Sequence, residues 1–481
     1  MSVSIQTETH IWVRLYAAMA MLHFGGTIAK LENMNKEEIL QTVSRENIKF
    51  IHLMFSDLTG MAKSVTIPSA KLPDALADGV WFDGSSIEGF ARIAESDMLL
   101  KLDPGTFAIL PWDGELGKEA RIICDIAMPD SSPFQGDPRT ILKNNLKKLS
   151  DLGFTYNLGP ECEFFLLKKT QNENGQSKPN YPLEPHDEGG YFDYTTDLAR
   201  IVRREISEAL TQMGIKVETS HHEVAIGQHE IDFEYANALK AADNVMTFKI
   251  VVKAIAERHN LHATFMQKPI FGINGSGMHV HQSLFLDGKN IFFDQSGRYY
   301  LSATAQKFIA GQLQHAKEMS LVLSPLVNSY KRLVPGYEAP VYIAWGQQNR
   351  SALIRIPRYI EGRPSAVRAE LRCPDPSCNP YLAFAVMAAC GLDGIEKGLM
   401  PPEPVEENIY QIDQESRITR GIQTLPSSLG EAITATKSSD IIKNVLGTHT
   451  FDRIIEAKEI EWDEYRINVS PWEVERYLGI Y

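Results

Sequence analysis

The chain has 481 residues, enough for two domains or for one large domain with an appendage. Its 48 Lys and Arg against 61 Asp and Glu leave a net charge of -13, which argues against nonspecific nucleic-acid binding and leaves local basic clusters to be explained one by one. With 43% hydrophobic and 23% charged residues, no apolar tract of roughly 18 or more residues, and five cysteines in no CxxC pair, a membrane span, a disulfide framework and a zinc site are all poor matches; a reduced, cytoplasmic setting is expected.

Residues 1–33 differ from the rest of the chain. LYAAMAMLHF (15–24) is apolar, but Glu8 and His10 precede it, Arg14 abuts it and no small-residue cleavage site comes after it, so the segment reads as an upstream start or a short appendage rather than a secretory signal. From Met34, MNKEEILQTVSRENIKFIHLMFSD predicts an amphipathic helix leading into a strand. Between Ile48 and Pro68, IKFIHLMF and AKSVTIP flank the turn-like DLTG, a hairpin signal. WFDGSSIEGF (81–90) packs Gly, Ser and Asp between aromatics, the composition of a functional loop. The strand-like ARIICDIAM (120–128) ends at PDSSPFQGDPR, which puts a domain boundary near 129–138 and divides the chain into 34–132 and 133–481. Beyond it, helical patterns in 140–153, 197–214, 244–260 and 378–398 alternate with short strand-like runs. With no repeat, no Walker loop and no GxGxxG, an α+β fold is expected over a Rossmann or P-loop one.

Chemistry concentrates in four stretches. ECEFFLL (161–167) sets Glu161 and Glu163 at i and i+2 of a strand-like run, on one face, with Cys162 on the other. A solvated edge, an ion pair with basic residues or a divalent cation could each accommodate the two charges. SHHEVAIGQHEIDFEY (220–235) offers Glu223 and Glu230 around Gly227, with three histidines nearby. KPIFGINGSGMHVHQSL (268–284) is a Gly-rich turn leading to His279 and His281, and an oxygen-rich site with a single imidazole suits Mg or Mn better than zinc. RAELR (368–372) puts Arg368, Glu370 and Arg372 on one face if extended, and Arg350, Arg355, Arg332 and Glu338 lie just upstream. Such a face recognises anions beside a metal or else is an exposed ion-pair ladder worth little; many cations beside many acids favour phosphoryl transfer or carboxylate activation.

Together these stretches closely resemble one family, the type I glutamine synthetases of bacteria and archaea, from about residue 34 to the end. FDGSS with ESD downstream of it matches its N-terminal signature and KPIFGINGSGMHVHQS its ATP-region signature; GPECEFFLL, HHEVAIGQHEIDF, KRLVPGYEAP, NRSALIRIP and RAELRCPDPSCNPYLA complete the expected arrangement. The resemblance implies a small N-terminal β-grasp domain and a large catalytic domain with an antiparallel sheet and flanking helices. It implies two stacked hexameric rings, with the site shared between neighbouring subunits and the closing VSPWEVERYLGIY reaching between rings. Carried over by position, Glu163, Glu223 and Glu230 would hold the Mg2+ (or Mn2+) that orients L-glutamate, and Glu161, His279 and Glu370 the ion that bridges the ATP phosphates. Glutamate would meet Asn274, Gly275, Arg332 and Arg372; Arg350 and Arg355 would neutralise the transferring phosphoryl group; Glu218, His281, Ser283 and Arg368 would contact nucleotide. Asp83, with Ser86 beside it, would bind ammonium, and Glu338 would sit on a flap that excludes water.

There are departures from the family pattern. Cys162 and Cys378 replace more usual residues without touching the liganding face, and Tyr410 falls near a tyrosine that some members modify, in a different context. The chain looks like the shorter, feedback-inhibited division, in which Arg92 is the regulatory candidate or else a surface charge. A paralogue that joins glutamate to an amine tends to lose the ammonium-site Asp, present here as Asp83; a catalytically silent relative should have lost metal ligands, and all six are intact.

Overall fold

The two strand-like runs after Ile48 pair as a hairpin: β1 (Phe50–Ser56) and β2 (Ala62–Pro68) run antiparallel, with Phe50 opposite Pro68 and Ser56 opposite Ala62. The computed structural model describes residues 34–85, 97–112, 117–171, 177–180, 183–347 and 349–481. With β3 (Val80–Asp83), β4 (Asp97–Leu102), β5 (Ala108–Ile109) and β6 (Glu119–Ala127), the hairpin forms a six-stranded sheet in the order β2-β1-β6-β4-β3, with β5 on β6 and β1 parallel to β6. The predicted first helix is Lys36–Arg45, started by a capping box in which Asn35 accepts from Glu38 N while the Glu38 side chain accepts from Asn35 N. Its Ile39 joins Ile51, Leu53, Leu72, Leu100 and Ile122 in a separate apolar core.

A twelve-stranded sheet carries the rest: β7 (Phe154–Gln171), β8 (Ser177–Pro179), β9 (Val217–His222), β10 (Gln228–Phe233), β11 (Ala236–Asn237), β12 (Leu261–Thr264), β13 (Met278–Leu286), β14 (Lys289–Asn290), β15 (Tyr342–Gly346), β16 (Ala352–Arg355), β17 (Ala369–Leu371) and β18 (Gln423–Thr424). Its spine runs β18-β15-β16-β17-β13-β7-β10-β9, antiparallel as expected apart from the parallel pair β15 and β16. Alternation explains which face is which. Along β7, Tyr156, Leu158, Cys162, Phe164 and Leu166 are buried in the main core, while Glu161 and Glu163 point to the opposite face.

That core is closed by the helices Pro138–Asp151, Ala238–Arg258 and Pro380–Glu396; the third lies within its predicted stretch, and the first two overlap theirs but start two and six residues earlier. Phe248 of the second stacks edge-on against Phe164, centroids 5.9 Å apart. The N-terminal domain docks against these helices. Arg139, buried, donates to Asp243 of the second helix at 3.0 and 2.9 Å and to Asp125 and Asp103 of the N-terminal domain at 2.8 and 2.7 Å. Asn379 caps the third helix and donates to Asp57 O at 2.9 Å, and a Cβ on Gly60 would stand 2.9 Å from Asn379 Cα. No helix among the described residues is long and apolar enough to cross a membrane, and all five cysteines are buried and free.

Candidate active site

Strand register assembles the acidic stretches into rows across the open face. Glu163 of β7 lies opposite Glu230 of β10, which lies opposite His221 of β9. One step along, His279 of β13 faces Glu161 of β7, which faces Asp232 of β10. On the other side His281 of β13 pairs with Glu370 of β17, and Glu370 with Arg355 of β16. Six strands thus bring residues up to about 210 positions apart within reach of each other, which side-chain alternation on any one strand could not do.

Two ligand clusters result. In one, His221 Nε2 lies 2.9 Å from Glu223 Oε1 and 3.2 Å from Glu230 Oε2, with Glu163 alongside. Glu163 Oε2 accepts from Gln228 Nε2 at 2.7 Å and from the amide of Gly277 at 2.9 Å. Burial, then the neighbouring Glu223, push the Glu163 carboxyl up to about 8, and burial and Glu163 hold Glu230 well above the usual carboxylate range. Glu230 Oε1 is buried with no hydrogen-bond partner. Three crowded carboxylates and an orphaned oxygen, served by one imidazole, fit a divalent cation.

In the other cluster, Glu161 and Glu370 share the imidazoles. His281 Nε2 is 2.6 Å from Glu161 Oε1, and His279 Nδ1 is 3.7 Å from Glu161 and 3.8 Å from Glu370. Arg355 Nε donates to Glu370 and Arg372 Nε lies 3.2 Å from it. Burial alone would raise both acids, but the nearby His and Arg groups keep Glu161 well below the usual range and lower Glu370. The Glu161, His281 and Glu370 ligand atoms lie within 4.8 Å of one another, as do those of His221, Glu223 and Glu230. His221 and His281 thus join these clusters beside Glu163 and His279, the residues named by position.

Both clusters open into one cavity of about 150 Å³. Of the residues picked out from the sequence, the carboxylates Glu161, Glu163, Glu223, Glu230 and Glu370 line it together with His279; so do Asn274, Gly275, Glu338, Arg332, Arg350, Arg355 and Arg372. Arg332 is buried, its Nη2 donating to Arg372 O at 3.1 Å. His281 and Arg368 sit beside the cavity, with Arg368 Nε 3.2 Å from His281 Nδ1, while Glu218 and Ser283 are on β9 and β13 but do not line it. Asp83 ends β3, its Oδ1 accepting from Ser85 N and Oγ at 2.9 and 2.7 Å, and no described residue of the N-terminal domain lines this cavity. Ser86 and Arg92 lie outside the described residues.

No sequence pattern singled out Tyr191, Gln228 and Tyr337, which also line the cavity, or His221 among the three histidines of its stretch. A signal was present for the last, because His221 and Glu223 stand at i and i+2 as Glu161 and Glu163 do. Its neighbour His222 points away, Nε2 on Asp187 Oδ1 at 2.8 Å. Gly277 has a checkable role: a Cβ there would stand 2.4 Å from Arg332 Nη2 and 3.2 Å from His279 Nε2. Gly277→Ala is expected to cost about 10²-fold in kcat/KM by displacing both groups, and near-normal steady-state kinetics would contradict this placement.

Comparison with known proteins gives these rows a context. The family profile described as glutamine synthetase, β-grasp domain, matches residues 47–129, and that described as glutamine synthetase, catalytic domain, matches 135–477. The glutamine synthetase of Methanosarcina mazei is 52% identical over 446 residues, covering 92% of this chain and 98% of the relative. That of Thermus thermophilus is 53% identical over 452 residues, covering 93% and 99%. Among solved structures, a cryo-EM structure of Plasmodium falciparum glutamine synthetase has a TM-score of 0.82 at 25% identity, covering 93% of this chain and 99% of that one. A GmaS complex with ADP has a TM-score of 0.81 at 32% identity, covering 92% and 99%. Matched in both domains, and more than half identical to curated relatives over most of its length, the chain belongs to the glutamine synthetase family.

Proposed function

We propose that this protein is a glutamate–ammonia ligase: it makes glutamine from glutamate, ammonia and ATP through a γ-glutamyl phosphate. The observation that carries this reading is the single cavity in which two carboxylate clusters face Arg332, Arg350, Arg355 and Arg372. Such a site can hold a dicarboxylic amino acid and a polyphosphate side by side while offsetting charge on both. Glu163, Glu223, Glu230 and His221 would hold one divalent cation and Glu161, Glu370, His279 and His281 another. When bound, these ions supply charge neutralisation and orientation for the phosphates and the carboxylate. Mg2+ or Mn2+ suits the oxygen-rich donor set.

In the first step an oxygen of the glutamate γ-carboxylate bonds to the γ-phosphorus of ATP as the bond to ADP breaks. Arg350 and Arg355 stabilise the charge spread over the transferring group, and Arg332 and Arg372 orient glutamate. In the second, the ammonia nitrogen bonds to the acyl carbon and phosphate leaves. Asp83 of a neighbouring subunit, with Ser86 beside it, binds ammonium and takes up its proton, and Glu338 helps to close the site against water. The Glu218, Ser283 and Arg368 side chains complete the nucleotide contacts. Two stacked hexameric rings are inferred for the assembly. Apolar side chains of the C-terminal tail, Ile467, Trp472, Leu478 and Ile480, are 60 to 78% exposed in a single chain, as a segment that reaches across to another subunit should be.

The test is phosphate release with ATP, glutamate and Mg2+, offered ammonium or a panel of amines. Ammonium-dependent release matched by glutamine is expected; release that needs methylamine or putrescine and ignores ammonium would replace this reading with that of an amine ligase.

A further inference from the structure

Tyr337, Glu338 and Ala339 form one wall of the cavity, in a segment whose Pro335, Gly336 and Glu338 are exposed. Gly336 has φ 97° and Glu338 φ 56°, a left-handed conformation that a glutamate keeps only where its surroundings hold it. Two fasteners are present, one on each side of Glu338. The Lys268 ammonium lies 3.6 Å from the centroid of the Tyr337 ring, and Tyr410 OH donates to Ala339 O. A second cavity, of about 440 Å³, shares Glu338 and Arg350 with the first and is also lined by Gly336 and Tyr410, so the segment has open space beside it.

Tyr410 approaches from a rigid base. Asn349 Nδ2 donates to Val405 O and Glu407 O at 3.0 and 2.7 Å, Ile409 N donates to Ser351 Oγ at 3.1 Å, and Ile409 is fully buried. The Tyr410 ring packs on Tyr342, centroids 5.7 Å apart. An exposed segment is therefore tied at its C-terminal end to a fixed support by one hydroxyl.

Resting on the ligase reading, we propose that Tyr410 is a positioning residue: its hydroxyl latches the 334–340 segment in the arrangement that holds Glu338 over the reacting groups and keeps water from the acyl phosphate. If the latch is lost, a water oxygen attacks the acyl carbon, phosphate leaves with the electron pair of the broken C–O bond, the water proton passes to solvent, and glutamate is regenerated. ATP is then spent without glutamine. Loss of one neutral hydrogen bond shifts the open population about fivefold.

The experiment uses the full-length assembled protein and its Tyr410→Phe variant, which keeps the ring and loses only the donor. At limiting ammonium the wild type is expected to release one phosphate per glutamine, and the variant several-fold more phosphate than glutamine. Hydrogen exchange of residues 334–340 should quicken in Tyr410→Phe and not in Tyr342→Phe, whose hydroxyl meets Arg417 Nη1 at 3.2 Å rather than the flap. A Tyr410→Phe enzyme that stays coupled with unchanged exchange overturns the proposal. So does loss of the assembled fold, since the packed ring is retained. If the wild type makes no glutamine, the ligase reading fails, while the exchange comparison still decides the latch.

Discussion

Glu370→Gln is expected to lower kcat for glutamine formation by about 10³-fold or more, the scale of removing one preorganised charged group from a closed site. Glu370 is 1% exposed and is contacted by Arg355, Arg372 and His279, so it compensates two guanidiniums besides belonging to a cluster proposed to hold a cation. Gln has nearly the same shape and keeps the packing, but it cannot offset those cations. Breaking a buried ion pair from one side costs about 3–5 kcal/mol, so the melting temperature should fall as well. Two accounts of lost activity then need separating. If Glu370 acts only by placing Arg355 and Arg372, the Mg2+ concentration for half-maximal rate will not move; if it ligates, that concentration will rise steeply and added Mn2+ will partly restore turnover. A variant with wild-type kcat and unchanged Mg2+ dependence would remove Glu370 from the metal set.

Much of this site was legible because strand alternation is local. Glu161 and Glu163, His279 and His281, and Arg368, Glu370 and Arg372 each share a face by the two-residue period, and each does so in the fold. The helices behind the sheet were also readable, because an apolar face with a period near 3.6 needs only neighbours in sequence. Partners across strands were not readable from spacing. Which imidazole comes nearest Glu161 depends on the register of β13 against β7, and the side chain that reaches it at 2.6 Å is His281. Likewise His221 joins Glu230 because β9 pairs with β10 in a register that sets them opposite, while His222, one residue on, serves the buried Asp187. The Lys268 and Tyr410 fasteners come from segments 69 and 71 residues from their flap partners, and no sequence period connects them.

Mixing two inactive variants is expected to recover activity, and the amount tests how the site is shared. The N-terminal domain packs on the helices behind the catalytic sheet through Arg139 and Asn379, and none of its described residues lines the cavity. Asp83 is exposed at the end of β3, beside Trp81, which is 57% exposed, while Phe82 between them packs inward on Phe55 at 5.1 Å. The strand thus presents Trp81 and Asp83 outward, and neither lines its own chain's cavity. In the proposed ring Asp83 completes the cavity of the next subunit. Asp83→Ala alone should lose most turnover at limiting ammonium while still binding ATP, and Glu370→Gln alone should lose nearly all. When the two chains are coexpressed with different tags and the mixed assemblies purified, a site is whole only where an intact Asp83 meets an intact Glu370 from its neighbour. At equal amounts and random order that is half of one half, so about a quarter of wild-type activity returns. The recovered rate should rise and fall with the mixing ratio, greatest at equal parts. Were each site built within one chain, every site in the mixture would carry one lesion, and the rate would stay at the weighted mean of the two parents.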